Sequence, residues 1–413
     1  MNWNKTIISE NVLQQLINDK KNRMIQKKLL SLLTLLGFIS IFAGNLKVKV
    51  YNPGTKAIFP ITSTIIYGDK DAILVDAQFQ KQYAEQLVKE IKATGKNLKT
   101  VFISHSDPDF YFGLDVIRKA FPDVKIISTA QTAYLISASK DDKLAVWKPQ
   151  LKADAPSEVI VPEAVISIPD LEGNKIEIRQ NPEDPAHSFL WIPSIKTIAG
   201  GISVSVDSHL WMADTQNAKA IDQWIGQIDA MKALKPEQVI PSHFAKLSTS
   251  PQSLDFVKSY LENYKQAVTE NKTSDAIVDF MVKKYPDLPG KDELGMGAKV
   301  YLKEMDWDLK SPYPAIGHKV EVDFGAVKFL LDFKDNKTMT FTGTAGSSKN
   351  STDTVEYTAV EVAKNVFMVY WHEPHLGFNV THIQDYNKNI VYSNIAGPDG
   401  TFIHPKGAFK ILK

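Results

Sequence analysis

Short, solid apolar runs alternate with amphipathic stretches through the first 250 residues. The runs 72–75, 101–103 and 188–192 each end in a polar turn, as strands buried on both faces do. Residues 46–50 and 63–67 alternate like half-buried strands. Between them, Ala84, Leu87, Val88 and Ile91 recur at helical spacing, with Gly95 as a stop. The same logic predicts strands at 124–128, 159–168, 175–179 and 198–204, and helices at 129–138 and 218–234. From 251 the apolar spacing is helical (251–284, then 295–307), and Ser311-Pro312-Tyr313-Pro314 reads as a linker. Beyond it come short alternating segments at near-regular spacing: 319–324, 327–333, 338–342, 353–361, 366–372, 379–385 and 389–392. That is the pattern of a closed barrel or sandwich.

The boundaries that follow are an N-terminal extension at 1–44, an α/β domain at 45–250, a helical connector at 251–310 and an all-β domain at 311–413. In the α/β domain a strand–helix–strand unit delivers His105, Asp107 and Asp109 to the carboxyl end of its second strand, where open α/β sheets place their sites. Pro108 is expected to bar a helix there. Imidazole and carboxylate at alternate positions are metal ligands or proton carriers.

Those residues, in T-V-F-I-S-H-S-D-P-D-F-Y-F-G-L, resemble the metal loop of the metallo-β-lactamase superfamily, H-x-H-x-D-H. His105 stands at the first His and Asp109 at the Asp. Asp107 replaces the second His and Phe110 the third. The resemblance implies an αββα sandwich and a metal-dependent hydrolase. It implies that Asp76 braces the loop and that His243 is a ligand from the far end of the domain. The turn that supplies a further His reads Asn181-Pro182-Glu183-Asp184, with Glu183, Asp184 or His187 as substitutes. Gly201 stands where an acid would bridge two metals. Two cations about 3.5–4 Å apart need such a bridge, so one metal is expected at most. His105, Asp107, Asp109 and His243 would hold it, zinc first, then iron or manganese, or no metal at all. Asp109 or His209 would move the proton, Asp214 would support the site, and Tyr111, Phe112, Trp191 and Trp211 would line the substrate cleft. The substrate expected is a small ester, lactone or amide. The alternative is a small-ligand-binding protein that kept the fold and lost the metals.

The C-terminal segment V-F-M-V-Y-W-H-E with T-H-I-Q-D-Y is similar to the small lipocalin-like barrel of the MoaF family. Trp371, His372, Glu373, His375, His382 and Asp385 crowd two strands there. A filled core is the preferred reading of that cluster, over a ligand at the mouth or a metal at His372 and His382.

Composition then closes off other classes. Cysteine is absent, which removes disulfides, thiolate zinc sites and a Cys nucleophile. A net charge of +1 with dispersed basic residues gives no nucleic-acid signature. No G-x-S-x-G elbow, phosphate loop or dinucleotide turn occurs. Lys27 and Lys28 before an apolar run to Ala43 form a signal-peptide pattern over 24–44. Translation from Met24 and a periplasmic or secreted location are therefore expected. An uncleaved segment touching the membrane and a buried helix are the competing readings.

Overall fold

The computed structural model describes residues 46–181, 184–246, 248–307 and 309–412. The leader expected over 24–44 lies outside the described residues.

A six-stranded sheet opens the fold: β1 (Lys47–Tyr51), β2 (Ser63–Tyr67), β3 (Asp71–Val75), β4 (Asn97–Ile103), β5 (Lys125–Ser128) and β6 (Glu163–Ala164) pair in chain order. The first three are antiparallel, and β3 to β6 run parallel. A second sheet has the order β10 (Gln238–Val239), β9 (Thr197–Ala199), β8 (Asp184–Ile192), β7 (Glu177–Asn181).

Successive side chains of a strand point to opposite faces, and here both faces are apolar. On β3, Ile73 and Val75 enter a core shared with Leu190 and Ile192 of β8, whereas Leu74 faces the outer helices. On β8 it is Phe189 and Trp191 that face the helices on the other side. Helices therefore cover both outer faces, which is why the strands read as unbroken apolar runs. On the first sheet these are α1 (Lys81–Lys92), α2 (Pro108–Tyr111), α3 (Leu114–Ala120) and α4 (Ala130–Leu151). On the second they are α5 (Ala218–Ala233), α6 (Gln252–Glu270), α7 (Ser274–Lys284) and α8 (Lys291–Tyr301). Leu254, Val257, Leu261, Ile277 and Leu294, from residues read as a connector, share one core with Phe189 and Trp191.

Three local readings change. Pro108 starts a helical turn, because at the first helical position its missing N–H has no partner to lose. α4 runs on to Leu151, well past 138, with Pro149 tolerated in its last turn. Only Thr197–Ala199 and Glu163–Ala164 remain strands in their predicted stretches.

The chain ends in β11 (Lys319–Asp323), β12 (Lys328–Phe333), β13 (Thr338–Ala345), β14 (Thr352–Ala363), β15 (Val366–Glu373), β16 (Phe378–Asp385), β17 (Ile390–Ala396), β18 (Phe402–Ile403) and β19 (Lys406–Leu412). β16 pairs with both β15 and β17, and β19 joins β17 to β11. Eight antiparallel strands therefore close into a barrel, with β18 attached to β17. Tyr313, fully buried, plugs one end against Phe333, Tyr357, Phe367 and Tyr386. Gln131 of α4 donates to the Tyr313 carbonyl at 2.7 Å, and Tyr134 and Leu135 of α4 join the barrel core.

Candidate functional site at the end of the parallel strands

The site loop hangs from the end of β4. Asp76, at the end of β3 with φ +62°, is almost fully buried. It accepts the Ser104 N–H at 2.8 Å and bonds the Ser104 hydroxyl at 2.7 Å. Burial pushes its carboxyl up to about 8, against the lowering effect of those bonds. Ser104 Oγ in turn accepts the Gly201 N–H at 2.7 Å, so β3, the loop and the end of β9 are laced together. Gly201 has φ +81°, and a Cβ there would lie 2.3 Å from the Ser188 carbonyl oxygen. The place of a bridging acid is thus filled by the backbone of β8.

The four candidate ligands separate into two pairs. His105 Nδ1 accepts the Asp107 N–H at 3.2 Å, which puts the ring hydrogen on Nε2 and leaves neither nitrogen a free lone pair. Burial pushes His105 down to about 4, so it is neutral. Asp107 lies 3.4 Å from His105 Nδ1 and 3.0 Å from Lys143 Nζ, which also donates to the Ser106 carbonyl at 2.7 Å. Burial acts to raise Asp107, but the Lys143 ammonium together with the His105 and His187 rings outweighs it and holds the carboxyl below its ordinary value. The other pair is Asp109 and His243, joined at 2.9 Å, with Ser242 Oγ 3.2 Å from the second ring nitrogen. The buried Phe110 ring packs against both imidazoles, its centroid 5.2 Å from His105 and 5.9 Å from His243.

These residues do not fit a metal. Both imidazoles are committed within the chain, one Asp109 oxygen is held by His243, and a lysine ammonium already neutralises Asp107. Among the described residues no group of three His, Cys, Asp or Glu side chains is placed to hold a metal ion.

Other polar groups lie alongside. The His187 ring stacks on His105 at 5.3 Å, and its Nδ1 bonds Asp184 at 2.6 Å. Burial acts to lower His187, but the Asp184 carboxylate outweighs it and raises the imidazole. Asp214 accepts the indole N–H of Trp211 at 2.8 Å and of Trp307 at 2.7 Å. Burial, and then the like charge of Asp107, push Asp214 up to about 6. His209 stands elsewhere, its Nδ1 2.9 Å from the Tyr260 hydroxyl and its N–H on the Pro289 carbonyl. Of the residues expected to line the cleft, Trp211 is half-buried beside Asp214, whereas Tyr111, Phe112 and Trp191 are buried in the cores. Lys143 and Trp307 carried no signal in the sequence. Lys143 looks like one more solvated charge in K-D-D-K, and only the helix docking turns it inward.

The family model described as Metallo-beta-lactamase superfamily matches residues 58–190, and the one described as MoaF-like matches residues 316–410. The curated protein YobT of Bacillus subtilis strain 168 is 23% identical over 105 residues, 25% of this chain, and the chain spans only 44% of that relative's length. Among solved structures, a metallo-beta-lactamase from Pontibacter korlensis is 20% identical, covering 53% of this chain and 100% of that chain at a TM-score of 0.38. A metallo-beta-lactamase family protein from Thermus thermophilus is 12% identical, covering 62% and 93% at 0.44. A beta-lactamase domain protein from Burkholderia ambifaria is 13% identical, covering 63% and 87% at 0.46.

Proposed function

We propose that this chain, which carries a metallo-beta-lactamase superfamily domain at 58–190 and a MoaF-like domain at 316–410, binds a small polar molecule of the ester, lactone or amide class without a metal. The fold is hydrolase-like. The observation that carries the reading is the lysine in the loop: the chain itself supplies a positive charge beside Asp107, 3.0 Å away, where the resembled family uses a cation. Asp107, Lys143, His187 and Asp214 are only half-buried, as is Trp211, so charged, polar and aromatic groups are all partly accessible. Such a mixture suits a small polar ligand. The test is a titration of the full chain with γ-butyrolactone, N-acetylglycinamide and ethyl acetate, followed by tryptophan fluorescence, with and without chelator. Saturable binding that chelator leaves unchanged and Lys143→Met weakens supports the reading. Binding that needs added zinc, or none by any of the three, defeats it.

One observation favours a second reading, metal-independent hydrolysis. Asp214, pushed up to about 6, is a group able to exchange a proton near neutral pH, and the hydrogen-bonded Asp184–His187 pair adds a second proton carrier. Chelator-resistant turnover of p-nitrophenyl acetate, with a step near pH 6 that Asp214→Asn abolishes, would support it. No turnover above the Asp214→Asn protein would leave binding alone.

A further inference from the structure

The two ends of the barrel differ in how far their inward side chains are buried. At the Tyr313 end Phe333 and Phe367 are fully buried and Tyr386 is half-buried. At the opposite end the inward Phe324, Phe329, Phe378 and Ile395 are only half-buried, although they pack against the barrel core. That end of the barrel therefore carries an apolar, largely aromatic rim.

Deeper in the barrel sit polar groups that the chain does not satisfy. His382 on β16 and Ser393 on β17 are direct cross-strand partners, 4% and 2% exposed. His382 Nδ1 and Ser393 Oγ are both buried without a hydrogen-bond partner. Leaving a buried polar atom unsatisfied costs about 1–3 kcal/mol, and here two such atoms share one wall. The His382 ring is held edge-on to Trp371 at 4.7 Å and to Phe324 at 6.2 Å. Both aromatic rings stand nearly perpendicular to the imidazole.

Charge narrows the ligand. The inward positions of the eight strands carry no Lys or Arg among the described residues. The acidic Glu373 near the rim is 8% exposed and lies 3.2 Å from the Trp371 indole nitrogen. An anion would meet that carboxyl with no cation to offset it. His382 is driven down to about 3 by burial, so it is neutral and can accept through one nitrogen.

We propose that the barrel lumen is a second small-molecule site, taking a neutral aromatic compound with an N–H or O–H donor. The ring lies among Trp371, Phe324 and the rim, and the donor meets His382 Nδ1 beside Ser393. This site is separate from the loop at the end of β4 and does not depend on how that loop works.

The test uses 1-aminoanthracene, a neutral aromatic amine that fluoresces more strongly in apolar surroundings, titrated into the full chain at neutral pH. The expected result is saturable binding at one site, weakened about fivefold to tenfold in His382→Leu, the size of one lost hydrogen bond. Tyr370→Ala, on the outward face of the same strand as Trp371, should leave it unchanged. Ser393→Phe, which fills the wall, should abolish it. Thermal unfolding of each variant shows whether it is folded. If His382→Leu does not fold, the Ser393→Phe and Tyr370→Ala pair decides the same question. Absence of saturable binding, or binding indifferent to both lumen substitutions, overturns the proposal and leaves these polar atoms to bound water.

Discussion

Gly201→Ala probes how tightly the loop is held against the second sheet. Gly201 has φ +81°, a conformation that costs an L-residue about 1–2 kcal/mol. The added methyl would also sit 2.3 Å from the Ser188 carbonyl oxygen, a backbone atom of β8 that cannot swing aside. The Ser188 side chain is itself bonded to the Ser104 carbonyl at 3.0 Å, so moving β8 would disturb the loop on the far side. Strain and displacement together should cost about 4 kcal/mol or more, at the upper end for single substitutions. Urea unfolding followed by circular dichroism measures it, as a lowered midpoint at unchanged slope. Gly201→Asp should be no milder, since the acid would start from the same clash. A loss within about 1 kcal/mol of the starting protein would mean that β8 yields, and the claim that backbone fills the bridging position would fall.

Asp76 predicts a pH dependence. Its folded carboxyl takes a proton at about 8 against an ordinary 3.8, so its contribution to stability is full below about pH 4 and is lost as pH rises through about 8. Asp76→Asn should flatten that decline in urea midpoints, and identical slopes in both proteins would contradict it. Lys143→Met leaves a half-buried carboxylate at Asp107 without its ammonium and should cost about 1–3 kcal/mol, read as a melting-temperature drop of several degrees. An unchanged melting temperature would show that the ion pair of Lys143 and Asp107 is idle. Phe110→Ala removes a fully buried ring and should cost about 3–5 kcal/mol. A loss below that range in the urea midpoint would mean the ring is not holding the two imidazoles in place.

The architecture was legible where burial imposes a period on the sequence. β3, β4 and β8 are apolar on both faces and announce themselves, and the alternation of β11 to β17 gives the barrel. β19, Lys406–Leu412, was missed because Gly407 interrupts its inward row and Lys406, Lys410 and short side chains make it read as a polar tail. The candidate ligands His105, Asp107, Asp109 and His243 could be named, but their pairing could not. Whether Asp109 bonds His243 or shares a cation with His105 depends on a ring, Phe110, and a helix, α4, whose docking leaves no mark in local spacing. Lys143 becomes legible only once α4 is known to continue to Leu151. Tyr111 and Phe112 looked like cleft residues for the same reason: their position beside the loop is visible in sequence, their direction into the core is not.

A lysine and two internal hydrogen-bonded pairs take up the groups that would otherwise hold a metal, and everything proposed for the loop depends on that. The most direct measurement is the metal content of full-length protein purified without chelator, by elemental analysis, followed by calorimetric titration with zinc. Far less than one equivalent of zinc, iron or manganese is predicted, with no heat of zinc binding that His105→Ala or His243→Ala removes. One equivalent of metal that is lost in either variant would contradict it.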